Sequence, residues 1–209
     1  MGSQVHFAVL SLNVCGLNTG EGLSALVSCI TEAVYWDAVF LQELSSTHDD
    51  QGKEICEYGV DGHTVYCTNE GSRRSAVILH NRWSTAKKSH IRNGPTVAVV
   101  LATQGPTESG IIFDVFSGHL ALVSSYLPPR SMDENAKEDW EFAFSTLWET
   151  VESACKVTCL QPNMSFIWGM DGNCELGGLS SDAEYSWPAV GLAATGVCCG
   201  KGRELGGAL

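Results

Sequence analysis

Asn13, Glu43, Tyr126, Asp171 and Asn173 are the residues of this sequence whose types and settings are suited to chemistry. Asn13 closes the strand-like run in "SLNVCGLN", Glu43 the run in "VFLQEL" and Tyr126 the run in "VSSYLPP"; Asp171 and Asn173 follow "FIW" in "WGMDGNCEL". Polar groups at the ends of strands, on one rim of a rigid scaffold, form a common site arrangement. Singly, each has a plain structural explanation. Asn13 satisfies a backbone group near a turn, Glu43 marks where a strand reaches water, Tyr126 is a core aromatic with its hydroxyl at the surface, and Asp171-Gly172-Asn173 is a tight turn. Together, two carboxylates, two carboxamides and a phenol are the donor set of a divalent-metal phosphodiester site. The carboxylate oxygens would hold Mg²⁺ or Mn²⁺, while the amides and the phenol orient the phosphate and the attacking water.

The elements that must position these groups are legible as hydrophobic patterns. Residues 5–14, "VHFAVLSLNV", are apolar on both faces and predict a central buried strand. Further strands are predicted over 37–44, 63–68, 75–80, 96–103 and 164–170, and two more over 111–129, joined at Ser117-Gly118. In 21–36 the residues Leu23, Leu26, Val27, Ile30 and Val34 form one helical stripe. In 131–155 Ser131 and Glu134 make a capping-box pattern, and Ala136, Trp140, Ala143, Phe144, Leu147, Val151 and Ala154 form the buried face. This order predicts one α+β domain over 1–209, a sandwich of mostly antiparallel sheets with helices outside. After Cys174 the pattern turns loop-like, rich in Gly, Ala and Ser, with no closing strand.

Composition constrains the substrate. Lys and Arg number 12 against 24 Asp and Glu, a formal net charge of −12, which opposes binding of a polyanion by simple phosphate neutralisation. A nucleic-acid substrate therefore requires bound cations or local arginines, and Arg73, Arg74 and Arg130 flank predicted strand ends. The nine cysteines include no Cys-x-x-Cys pair, which predicts reduced thiols, several of them buried, in a nuclear or cytoplasmic protein. No signal peptide is expected, and no run approaches the ~18 apolar residues that span a bilayer. Nothing specifies a membrane or a protein partner.

In their order, Asn13 in "LSLNVCGL", Glu43 in "LQE", Tyr126 in "SSYLPP" and Asp-x-Asn in "GMDGNCEL" resemble the endonuclease/exonuclease/phosphatase superfamily, the fold of DNase I and the abasic-site endonucleases. "RRSAVILH" is similar to the strand of that family that follows a Gly/Arg/Ser segment. Within the superfamily the chain most resembles the endonuclease domains of non-LTR retrotransposons, which carry a similar Tyr-x-Pro-Pro and a Gly-rich segment matched loosely by "GKGRELGG". The resemblance spans nearly the whole chain. It implies a DNase I-like four-layer α/β sandwich and a Mg²⁺-dependent endonuclease acting on DNA. It further implies Glu43 as main metal ligand with Asn13 in the metal shell, Asp171 on the nucleophilic water, Asn173 at the transition state and Tyr126 on the phosphate. Independently of the resemblance, Arg74 and Arg130, at predicted strand ends in a basic-poor chain, would bind substrate. Other readings are a phosphoesterase of the same superfamily acting on phosphoinositides or small phosphoesters, and a non-catalytic interaction module.

The chain departs from the family at several points. Cys15 stands where some relatives carry an acidic residue, Met170 where Gly is usual, and Pro129 where the abasic-site enzymes have Asn. The last family motif, an Asp and then a Ser-Asp-His, has no counterpart after Asp182. His119, at the start of a strand remote from the Tyr126 end, is expected to be structural. The expectation is a C-terminally truncated copy, lacking its last strands and weak or inactive as it stands.

Overall fold

The computed structural model describes residues 7–17, 21–45, 56–68, 73–102, 119–128, 134–157 and 164–172. They form an α+β sandwich of two mixed sheets. The first holds β1 (Val9–Asn13), β2 (Ala38–Leu44), β3 (Glu57–Val60), β4 (His63–Cys67) and β5 (Arg74–His80), in the order β1-β2-β5-β4-β3. The second holds β6 (Lys87–Asn93), β7 (Thr96–Ala102), β8 (His119–Tyr126) and β9 (Met164–Asp171), in that order. The β1–β2 and β8–β9 ladders are parallel, and the other pairings are antiparallel.

Strand alternation sorts the side chains into layers. Ala38, Phe40, Val77 and Leu79 meet Val97, Val99, Leu101, Leu120 and Leu122 in the core between the sheets. The opposite face of the first sheet, including Val39, Leu41, Ala76 and Ile78, packs on Leu23 and Val27 of α1 (Glu21–Ala33). The opposite face of the second, including Ala98, Val100, Ala121 and Val123, packs on Trp140, Ala143, Leu147 and Ala154 of α2 (Glu134–Val157). The described residues thus stack as helix, sheet, sheet, helix.

Several expectations need correction. β1 is an edge strand of the described sheet, not a central one. Its apolar residues are nonetheless covered on both sides, Val9 by the inter-sheet core and Leu10, Leu12 and Val14 by the α1 layer. Val34 lies beyond the end of α1 and is 48% exposed. Of the described cysteines, all free, only Cys67 is buried; burial pushes its thiol up to about 12, leaving it protonated and unreactive. The predicted strand before Ser117-Gly118, the cap at Ser131 and the region after Cys174 lie outside the described residues. No helix among the described residues is long and apolar enough to cross a membrane.

The pole of β2 remote from Glu43 is fastened by a buried carboxylate. Asp37 accepts hydrogen bonds from the Ala8 amide (2.8 Å), Trp83 Nε1 (2.7 Å) and Tyr35 Oη (3.2 Å), and is paired with Arg82. Near it, His63 is buried, stacked on Trp36 at 4.2 Å between ring centroids and edge-on to His80 at 4.9 Å. Desolvation by burial, reinforced by the neighbouring His80, holds the His63 pKa below the ordinary histidine value. The unfolded chain then takes up a proton, as pH falls below about 6.5, that the folded chain refuses, so stability drops with falling pH. We expect the melting temperature to decline between pH 7 and pH 5.5 and the decline to be shallower in His63→Phe, which keeps the stack on Trp36. An identical slope in that variant would exclude His63 as the source.

Candidate active site

Parallel pairing brings the C-terminal ends of paired strands side by side. Asn13 of β1 is register partner to Gln42, the residue before Glu43, and Tyr126 of β8 is partner to Asp171 of β9. Because β5 runs antiparallel to β2, its first residue Arg74 pairs with Leu44, which places Arg73 on the same rim. The residue rows facing the inter-sheet core change character toward this rim. On β1 the row is Val9, Ser11, Asn13; on β2 it is Ala38, Phe40, Gln42; on β8 it is Leu120, Leu122, Ser124, Tyr126; on β9 it is Ile167, Gly169, Asp171. The core grades from apolar to polar, and the polar end, where Asp171 stands and Glu43 follows Gln42, is the candidate site.

A bulge in β2 aims Glu43. Between Leu41 and Leu44 this strand takes one residue more than β5, and Glu43 sits at φ 60°. An αL residue other than Gly costs about 1–3 kcal/mol, a strain typical of functional positions. The bulge also returns Leu44 to the α1 layer beside Leu41, although strict alternation would send it to the opposite face. Facing Glu43, Cys15 and Gly16 are also left-handed, at φ 47° and 85°, and the Gly16 amide donates to the Glu43 carbonyl.

The side chains meet through Asn13. Its Oδ1 accepts the Cys15 amide at 2.9 Å, which orients the group so that Nδ2 faces the carboxylates. Nδ2 then donates to Glu43 Oε1 at 2.9 Å and to Asp171 Oδ2 at 2.7 Å. Arg73 Nη1 donates to Tyr126 Oη at 2.8 Å and lies 3.2 Å from the same Glu43 Oε1. The Tyr126 oxygen first, and then the Glu43 and Asp171 charges, hold the Arg73 pKa above its ordinary value. Beneath this cluster Gln42 Nε2 reaches Ser124 Oγ (3.2 Å), the Gly169 carbonyl (3.1 Å) and Ser11 Oγ (3.4 Å), while Ser124 Oγ donates to the Leu41 carbonyl (3.0 Å). This polar layer, buried at Gln42 and Ser124 and open to solvent at Ser11, ties β1, β2, β8 and β9 directly under the site.

The sequence-chosen residues fare differently. Asn13, Glu43, Tyr126 and Asp171 come from four strands and 158 residues of sequence separation into one hydrogen-bonded group, with Arg73. Arg74, chosen for substrate binding, is wholly buried at 0% exposure, on the strand face shared with Ala76 and Ile78, and a ligand at the rim cannot touch it. Among the described residues, Arg73 is the arginine at the site. Asn173 and Arg130 lie outside the described residues. His119 stands at the opposite end of β8 from Tyr126. Gln42, Ser11, Ser124 and Gly169 were not singled out by sequence; the adjacency of Gln42 to Glu43 was the available signal.

Among the described residues no three His, Cys, Asp or Glu side chains cluster to hold a metal ion. The oxygen donors at the rim are two carboxylates held within hydrogen-bonding distance of one amide nitrogen, while Asn13 Oδ1 is turned to the Cys15 amide. Hard oxygen donors in this number suit Mg²⁺, which takes one or two carboxylates and keeps several waters. Fold and site together define an α+β sandwich with a carboxylate–amide–phenol–guanidinium cluster at one rim. No family model matches the chain, and no curated protein matches it.

Proposed function

We propose that the chain is a Mg²⁺-dependent phosphodiester hydrolase with a DNase I-like fold, a DNA endonuclease of the retroelement type working in the nucleus or cytoplasm. The observation that carries this reading is the hydrogen-bonded convergence of Asn13, Glu43, Tyr126 and Asp171, with Arg73, on one rim. A phosphoryl transition state needs positive charge and hydrogen-bond donors around its oxygens, and a base or orienting group beside the attacking water. Bound at Glu43, Mg²⁺ would supply Lewis acidity. Asn13 fixes the two carboxylates relative to one another. The Tyr126 hydroxyl accepts from Arg73 and so turns its own proton outward, as a donor to a phosphate oxygen. Asp171 accepts or orients the proton of the attacking water, and Asn173, on the sequence pattern, stabilises the transition state.

The acidic balance of −12 favours a second substrate class in the same chemistry, a phosphoinositide or another small phosphoester. Plasmid nicking in Mg²⁺ and in EDTA, beside release of phosphate from soluble phosphoesters, separates the two. Glu43→Ala is expected to abolish metal-dependent turnover of whichever substrate is used. Equal nicking by the variant and the parent chain would reject the site. A function unchanged in both Glu43→Ala and Asp171→Asn, without Mg²⁺ binding, would instead identify a non-catalytic module.

A further inference from the structure

We infer that Arg73 is the internal counter-ion of Glu43, which a divalent cation displaces, and that displacement converts Arg73 into a phosphate-binding group. The inference rests on the reading of Glu43 as a metal ligand. Glu43 Oε1 receives two donors, Asn13 Nδ2 and Arg73 Nη1. A cation bound to this carboxylate and a guanidinium 3.2 Å from it repel each other, because like charges lie close with little water between them. The Glu43 side chain is only 15% exposed, so screening there is limited, whereas the Arg73 side chain is 54% exposed and free to swing.

Tyr126 is the pivot of that swing. Nη1 is held by Tyr126 Oη at 2.8 Å, and Cζ lies 5.6 Å from the centre of the phenol ring. Losing Glu43 therefore leaves Arg73 beside the phenol, not detached from the site. The planar guanidinium presents several N–H groups and can meet phosphate oxygens through more than one of them. The charges agree. With Glu43, Asp171 and Arg73 the cluster is formally −1 and repels a phosphodiester; one divalent cation makes it +1. Metal binding and phosphate binding are thereby coupled, each raising the affinity for the other. In a chain of net charge −12, such coupling lets an anion settle at this rim once the metal is in place.

The test is Mn²⁺ binding, followed by the electron paramagnetic resonance signal of free Mn²⁺, and inorganic phosphate binding by calorimetry with and without saturating Mn²⁺. Arg73→Gln removes the competitor and is expected to bind Mn²⁺ about two- to fivefold more tightly, the range of an exposed ion pair. The same variant is expected to keep only part of the Mn²⁺-dependent gain in phosphate affinity that the parent chain shows, because the cation's own charge still acts while the share carried by Arg73 is gone. Glu43→Gln is expected to lose Mn²⁺ binding. Unchanged Mn²⁺ affinity in Arg73→Gln overturns the displacement, and an unchanged phosphate gain overturns the conversion; in both cases the metal reading survives through Glu43→Gln. Mn²⁺ binding that is absent from the parent chain, or indifferent to Glu43→Gln, overturns the metal reading and the inference with it.

Discussion

A Gly169→Ala chain is expected to be destabilised by about 3 kcal/mol or more, the upper end of what overpacking a core causes. A Cβ at position 169 would run into Cβ, Cγ and Cδ2 of Phe40 across the inter-sheet core. Neither partner can step aside, since Phe40 is itself buried among both sheets and Gly169 is locked into the β8–β9 ladder opposite Ser124. The sheets must separate, and that breaks the 3.1 Å bond from Gln42 Nε2 to the Gly169 carbonyl. Denaturant unfolding measures the loss. Phe40→Ala alone should cost about 3–5 kcal/mol. Combined with Gly169→Ala it should cost clearly less than the two changes added, because each makes room for the other. Strict additivity would show that the two residues do not compete for space. The same change should move Asp171, two residues on, away from Asn13, so site function is expected to fall even where the fold survives.

Asp171→Asn is the second large effect, and it falls on chemistry instead of stability. Asparagine keeps the shape of the side chain, and its oxygen still accepts the Asn13 Nδ2 bond seen at 2.7 Å. What disappears is the charge and the capacity to take a proton. Under the hydrolase reading the metal-dependent rate should drop about 10²–10⁴-fold, the usual contribution of a positioned acid–base group, with the melting temperature nearly unmoved. A rate within a few fold of the parent would remove Asp171 from the proton path. A collapse of stability would instead show that its charge serves the hydrogen-bonded cluster.

How much of this was legible from sequence differs element by element. The long, periodic segments were readable: β2, β5, β7, β9 and both helices fall within a few residues of their hydrophobic patterns. β3 and β6 were missed. Both are peripheral strands with polar, half-covered faces, Glu57–Val60 and Lys87–Asn93, so their burial signal is faint. Their turns were the better clue. Asp61-Gly62 takes positive φ at both positions, 43° and 79°, joining β3 to β4, and Gly94, at φ 51°, follows Asn93 between β6 and β7. The placement of β1 failed for another reason: apolar faces report what covers a strand from above and below, and say nothing of its in-plane neighbours. Arg73 and Arg74 show the same gap at single-residue scale. They are adjacent and chemically identical, yet strand alternation turns one to the rim and buries the other.

The sequence by itself determined the layers and the candidate chemistry. Its two periodicities decide which residues are covered, and the placement of Asn13, Glu43, Tyr126 and Asp171 at the ends of apolar runs put each at a strand terminus. Only the tertiary structure decided that those termini share one rim. That depends on two parallel ladders, on a one-residue bulge that turns Glu43 through a left-handed conformation, and on a glycine at 169 that lets Phe40 bring the sheets together. These are relations between segments up to 158 residues apart. They are set by register and close packing, and a local hydrophobic pattern carries neither.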